Sequence, residues 1–137
     1  MRENNILEIK SIFVGVGAVL GLLIGDVNNI FIALVIFVII DYVTGVTAAI
    51  INKKLNSEIG YKGITRKILI MMVVAIANVL DVYVIGTGNV LRSATILFYI
   101  ANEGISIIEN ISKCGLPIPE KLKIILEQLK EEDNKWN

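Results

Sequence analysis

The chain has no histidine, a single cysteine (Cys114) and two prolines among its 137 residues. The absence of histidine excludes Ser-His-Asp catalysis and histidine-rich zinc sites. Cys114 by itself cannot close an intramolecular disulfide and has no CxxC partner, so it reads as a structural thiol. Charge is also scarce: 19% of residues are charged, and 13 basic residues cancel 13 acidic ones. That balance argues against a nucleic-acid partner, which requires a basic excess on some exposed face. No G-x-x-x-x-G-K-[ST] phosphate loop or other nucleotide fingerprint is present, and no cofactor or metal is expected.

What is abundant is apolar. Hydrophobic residues make up 55% of the chain, and the mean hydropathy is +0.72. An ordinary soluble domain of this size needs more polar surface than that. The apolar residues fall into four blocks, 12–25, 30–51, 68–85 and 94–111. A hydrocarbon core of about 30 Å takes about 20 helical residues at 1.5 Å each, which the last three blocks approach. The first, at about 21 Å, is short for a span. No A-x-A-like site follows it, because Asp26, Val27, Asn28 and Asn29 come next, so it reads as retained rather than cleaved. The blocks do not alternate polar and apolar residues, which argues against a transmembrane barrel. The expected fold is an all-α membrane protein with about four transmembrane helices in residues 1–112. A cytoplasmic tail, 113–137, follows.

The connections carry the topology. Twelve of the thirteen basic residues fall on one side of a four-span arrangement: Arg2 and Lys10, five in 52–67 (Lys53, Lys54, Lys62, Arg66, Lys67) and five in the tail; Arg92 is the exception. The positive-inside rule then places that side, and both termini, in the cytoplasm. The basic loop 52–67 is expected to attract anionic lipid headgroups, and Gly60 and Gly63 to shape its turn. After Gly115, Pro117 and Pro119 break the chain, Leu122, Ile125, Leu126 and Leu129 recur at helical spacing. This predicts an amphipathic helix lying on the inner membrane surface or pairing with its own copy.

Polar groups inside the blocks carry the functional information. Asp41, Asp81, Glu103 and Glu109 lie within or at the edge of spans. A central aspartate there costs about 2.5–3.5 kcal/mol, so each must face a partner, a bundle interior or water. In the fourth block, Thr95, Tyr99, Asn102, Glu103, Ser106, Glu109, Asn110 and Lys113 fall within an arc of about 120°. Ile100, Ile105, Ile107, Ile108 and Ile111 form the apolar remainder. Such a helix can lie flat at the interface, pack its stripe inside a bundle, or line a watery opening built from several copies. Gly17, Gly21 and Gly25 form a G-x-x-x-G-x-x-x-G ridge, and Thr44, Gly45, Ala48 and Ala49 a second run of small residues. Both permit close helix contacts within a chain or between chains.

The segments Asp41-Tyr42-Val43-Thr44-Gly45, Gly60-Tyr61-Lys62-Gly63-Ile64-Thr65-Arg66-Lys67-Ile68 and Asn102-Glu103-Gly104-Ile105-Ser106-Ile107-Ile108-Glu109-Asn110 precede Gly115-Leu116-Pro117-Ile118-Pro119 and Leu122-Lys123. Together they resemble the phage-lysis and toxin-secretion holins of Gram-positive bacteria and their phages. The ENxxxxGLPxP ending is the most specific element, and the likeness runs over residues 30–129.

The resemblance implies a non-enzymatic protein that accumulates in the bacterial cytoplasmic membrane, homo-oligomerises and abruptly opens lesions. An endolysin or a toxin is then the passing cargo. Tyr99, Asn102, Glu103, Ser106, Glu109 and Asn110 become candidate pore-lining residues. Asp41 and Asp81 become candidates for holding the closed assembly or answering membrane energisation. Two other classes fit the same residues: a small ion channel or proton-coupled transporter with Asp41 and Asp81 as midplane sites, and a non-conducting membrane scaffold that recruits a partner through its C-terminal helix.

Overall fold

The computed structural model describes residues 2–86 and 88–134, in which helix is the one regular element. Five helices follow in order: α1 (Arg2–Ile24), α2 (Asn29–Ile51), α3 (Ser57–Val79, continued by a π-helical turn, Leu80–Ile85), α4 (Val90–Lys113) and α5 (Glu120–Asn134). Their ends are set locally. Asn28 and Asn56 cap α2 and α3, their side-chain oxygens accepting the backbone N–H of Phe31 at 3.1 Å and of Ile59 at 2.8 Å. At the end of α4, Gly115 takes φ +84. This lets its own N–H reach the Ser112 carbonyl and the Leu116 N–H reach that of Ile111, a Schellman ending that only a residue tolerant of positive φ closes cheaply.

Helices α2, α3 and α4 form the bundle. At one end, the Arg92 guanidinium at the start of α4 lies 5.5 Å from the ring of Phe31 at the start of α2. At the other, Asn52 just past α2 donates to the Lys113 carbonyl at 3.3 Å. Helices α2 and α4 are therefore parallel and equally tall, with α3 antiparallel to both. Phe31, Leu34 and Val38 of α2, Ile70 and Val74 of α3, and Ile96 of α4 make the core. On α2 these positions recur three and four residues apart, the spacing that keeps one face on its neighbours.

Three segments are long and apolar enough to cross a membrane: Asn5–Ile24, Asn29–Ile51 and Ser57–Ile85. The 94–111 block, the fourth of the expected spans, is not among them, so three such helices are shown among the described residues. Arg92, Glu103, Glu109 and Lys113 make α4 too polar by composition. The first block is also revised: its helix begins at Arg2, well before residue 12, and its apolar stretch of 20 residues is a full candidate span. The basic loop shrinks to the few residues around Lys53 and Lys54, because α3 starts at Ser57 and carries Lys62, Arg66 and Lys67. At about 1.5 Å per residue, Ser57–Ile85 is roughly 43 Å long, so its first turns outreach a 30 Å core. Glu58 and Lys62 form an exposed ion pair there, at 2.6 Å. Gly60 and Gly63 belong to this helix rather than to a turn, and the Tyr42 ring packs where a Cβ on Gly63 would be, 3.2 Å away.

Helix α5 departs most from expectation. It folds back against α4, with Leu126 buried beside Gly104. Leu122 and Ile125 remain about half exposed, at 47% and 54%; the side chain of Leu129 lies outside the described residues, as do residues 135–137 of the tail.

Candidate functional site

Three helices each deliver one charged side chain to the centre of the bundle. Asp41 is three residues after Val38 on the buried face of α2, in the 31-34-38-41 register that places it inward. The Lys67 ammonium of α3 donates to Asp41 Oδ2 and to Glu103 Oε2 of α4. All three side chains are nearly withdrawn from solvent, at 11% exposure for Lys67 and Asp41 and 6% for Glu103. Asn110, two turns beyond Glu103 on α4, completes the group by donating to Asp41 Oδ1 at 3.2 Å and to Thr44 Oγ1 at 3.4 Å. In a low-dielectric interior a lone carboxylate is costly, whereas one ammonium shared between two carboxylates with amide support is tolerable. The group leaves one net negative charge and locks α2, α3 and α4 in a single register.

Beside this triad, α3 and α4 bound an open groove of about 530 Å³. Arg66, Tyr99, Asn102, Ser106 and Glu109 line it, with Glu103 at its inner edge and Phe98 and Ile105 among its apolar walls. The polar stripe of α4 is thereby divided. Asn110 turns toward α2, Glu103 turns toward Lys67, and Asn102, Ser106 and Glu109 look outward from the bundle.

A second polar cluster closes the far end. The Asp81 carboxylate, fully buried in the π-helical turn, accepts the backbone N–H of Leu91 at 3.1 Å and of Arg92 at 2.8 Å. Asn89, the residue preceding α4, makes no side-chain cap of its own. Asp81 thus supplies the negative charge that the first turn of α4 calls for. Arg92 turns away from solvent, and its Nε and Nη2 donate to the carbonyls of Ile24 at 2.7 Å and Asp26 at 2.6 Å. Asn78 donates to those of Leu22 at 3.3 Å and Leu23 at 3.1 Å. Together they supply donors to the last carbonyls of α1, Leu22, Leu23 and Ile24, which have no following helical turn to bond them, and a second donor to the Asp26 carbonyl, which also accepts the Asn28 N–H at 2.9 Å.

The Gly17–Gly21–Gly25 ridge is not continuous within the protomer. A Cβ on Gly17 or Gly21 would meet nothing within 4 Å, while one on Gly25 would stand 2.4 Å from Asn78 Oδ1. Gly25 therefore ends α1 beneath the clamp, at φ +79, and Gly17 and Gly21 face outward. On α2, Gly45 receives Asn110 and Ala48 is buried.

Sequence reasoning missed the roles of three residues and one contact. Lys67 reads as a loop cation, but the i, i+3, i+7 spacing of Lys67, Ile70 and Val74 carries it onto the buried face of α3. Arg92 counts as the one misplaced positive charge, and its isolation among apolar residues was the available signal of a buried partner. Asn78 has the same signal, a lone amide in an apolar run. The Gly104–Leu126 contact has none that periodicity reveals.

A sequence profile described as the bacteriophage holin family matches residues 18–131. An uncharacterized protein of Listeria innocua is 45% identical over 112 residues, covering 82% of this chain and 79% of its own length. An uncharacterized 14.9 kDa protein of Clostridium perfringens, from the nagH 3′ region, is 42% identical over 93% of this chain and 96% of its own. A protein of Bacillus phage phi105 named probable holin is 44% identical over 97 residues, 71% of this chain and 70% of its own. No solved structure matches.

Proposed function

The chain belongs to the bacteriophage holin family, and from that membership we propose that it assembles with copies of itself in the bacterial cytoplasmic membrane and opens lesions there. An endolysin is the cargo released, or a toxin in a host that secretes one. The reading assigns no catalytic step to any residue. The observation that carries it is the division of α4: Glu103 is neutralised inward by Lys67 while Asn102, Ser106 and Glu109 face an open groove. A helix built this way is tolerable in lipid only while its outer polar face is covered, and a rearrangement that separates the copies presents that face to water.

On this reading α4 is a fourth crossing. Its ends are tied to both ends of α2, so it is as tall as a helix that spans. The basic residues of the α2–α3 connection and Lys113 then lie together at the cytoplasmic surface, with the N-terminus on that side. Asp41 and Asp81 hold the closed bundle, the first through Lys67 and the second through the start of α4.

Controlled expression in bacteria that contain a cytoplasmic endolysin tests this. Sudden lysis after a delay, advanced by an uncoupler, is expected; continued growth with the protein in the membrane overturns the reading. Liposomes distinguish the channel alternative, since a selective channel or transporter passes small ions and retains dyes and proteins, whereas a lesion former releases all three.

A further inference from the structure

The ends of α2 and α4 meet the start of α3 in a cleft of about 450 Å³, separate from the α3–α4 groove. Ala48 and Ala49 give it an apolar wall, and Asn52, Lys54, Asn110 and Lys113 supply its polar groups. No carboxylate lines it. The acids closest along the chain are engaged elsewhere, because Glu58 pairs with Lys62 at 2.6 Å and Glu109 faces the α3–α4 groove. Among the described residues neither the Lys54 nor the Lys113 ammonium has an ion-pair partner.

The turn after α2 is closed by a lysine. Lys53 takes φ +54; its N–H reaches the Ile50 carbonyl and that of Lys54 reaches Ala49, a Schellman ending that favours glycine. A side chain in that conformation is strained, and the strain is kept where it folds Lys54 back over the end of α2. The Asn52 amide ties the walls together, donating to the Ala48 carbonyl at 2.8 Å and the Lys113 carbonyl at 3.3 Å. The Asn110 amide nitrogen is committed to Asp41 and Thr44. Neither amide oxygen accepts a hydrogen bond among the described residues. The helix ends do not cancel the lysines: the C-termini of α2 and α4 carry about half a negative charge each, and the N-terminus of α3 about half a positive one. Against that small deficit stand the ammoniums of Lys53, Lys54 and Lys113, so the cleft attracts anions. Its position suits a headgroup. Asn29–Ile51 is long and apolar enough to cross a membrane, which puts Ala48 and Ala49 in the last turn of that span and Asn52 and Lys54 just past its end.

We propose that this cleft is a binding site for the headgroup of one anionic phospholipid. Lys54 and Lys113 take the phosphodiester, the Asn52 and Asn110 oxygens accept from headgroup hydroxyls, and the first acyl methylenes lie against Ala48 and Ala49. Phosphatidylglycerol has that chemistry, a single negative charge with hydroxyls beyond it. A diffuse basic loop draws any anionic surface, whereas two cations delivered by the ends of different helices close on one molecule. Seated there, the lipid joins the end of α2 to the end of α4 and braces the register that Lys67 sets deeper in the bundle. The site rests on the multi-pass membrane reading and not on lesion formation.

The test uses the full chain purified in nonionic detergent and titrated with short-chain phosphatidylglycerol, phosphatidylcholine or glycerol 3-phosphate, with bound molecules counted by native mass spectrometry. One phosphatidylglycerol per chain is expected, held about tenfold more tightly than phosphatidylcholine, with glycerol 3-phosphate not retained. Lys54→Gln together with Lys113→Gln should weaken retention about thirtyfold, since each ammonium near a headgroup is worth roughly a factor of five. Both side chains are exposed, so these changes leave the core intact. Lys10→Gln together with Lys121→Gln, an equal loss of charge at exposed positions outside the cleft, should change retention by less than about twofold. Ala49→Leu keeps both ammoniums, fills the cleft and should weaken retention as well. Equal weakening by the two double variants, phosphatidylcholine held as tightly as phosphatidylglycerol, or glycerol 3-phosphate held as tightly as the lipid each overturn the site. Insertion into phosphatidylcholine vesicles containing phosphatidylglycerol is scored in parallel. Failure to insert overturns the membrane reading and the site with it, whereas insertion without selective retention discards the site alone.

Discussion

Arg92 Nε donates to the Ile24 carbonyl at 2.7 Å, joining the first turn of α4 to the last turn of α1. No residue of the α1 span is buried in the protomer, so this bond, the Arg92–Asp26 bond and the two from Asn78 are the polar ties that attach α1 to the bundle. Among the described residues Arg92 Nη1 is buried without a hydrogen-bond partner, which shows that the guanidinium is placed for those carbonyls rather than for solvent.

Replacing Arg92 with methionine keeps apolar length and removes both donors. Hydrogen bonds to a charged group contribute about 1.5–3 kcal/mol each, so unfolding free energy should fall by about 3 kcal/mol or more. Denaturant unfolding in detergent measures this, and protease cleavage of the 25–28 connection should accelerate. Unchanged stability would show that α1 is held by other contacts.

Glycine substitutions separate contacts within the protomer from contacts between copies. Gly25→Ala forces a side chain into positive φ and against Asn78, and should cost about 1–2 kcal/mol in the isolated protomer. Gly17→Ala and Gly21→Ala add a methyl to open space and should leave protomer stability within about 0.5 kcal/mol. Any change they make in cross-linking yield between copies then reports an α1 surface used in assembly.

Removing the shared cation should be worse than removing the whole ionic group. Lys67→Met leaves the Asp41 and Glu103 carboxylates facing one another without an ammonium, at a cost of about 3–5 kcal/mol. The triple change Lys67→Met, Asp41→Asn, Glu103→Gln removes the charges together and should recover most of that loss. Membrane accumulation and thermal unfolding of the two variants measure the difference; equal loss in both would contradict the shared-cation arrangement.

Glu103→Gln keeps the shape of the side chain and gives up its charge to Lys67. The protein should still insert, and lysis should begin at a different time at equal protein level, because the lock between α3 and α4 is weakened. Identical timing would make Glu103 a packing residue only.

Asp81 acts through the backbone of another helix. Asp81→Ala should destabilise by about 1–2 kcal/mol by uncapping α4, and Asp81→Asn by less, since an amide oxygen still accepts one N–H. Circular dichroism and thermal unfolding in detergent give the ranking; equal losses in the two variants would show that Asp81 serves only as a charge.

Much was legible in the order of residues alone. Long apolar runs are a local property, so helical class and membrane residence followed from them directly, and Gly115 with the two prolines marked the end of α4; the caps at Asn28 and Asn56 emerged only in the structure. The polar stripe of α4 was equally legible, because helical periodicity alone arranges Asn102, Glu103, Ser106 and Glu109 along it. Periodicity gives only the direction of a side chain on its own helix, however, and partners are set by the angle at which helices meet. That is why Lys67 passed for a loop cation, Arg92 for a stray charge and α5 for a helix resting on the membrane surface or on its own copy. Packing brought Lys67 between Asp41 and Glu103, turned Arg92 onto the end of α1, and opened at Gly104 a space that Leu126 fills from beyond the two prolines. The sequence determined that acids would sit where lipid should be; only the tertiary structure decided which are neutralised inside the bundle and which look outward.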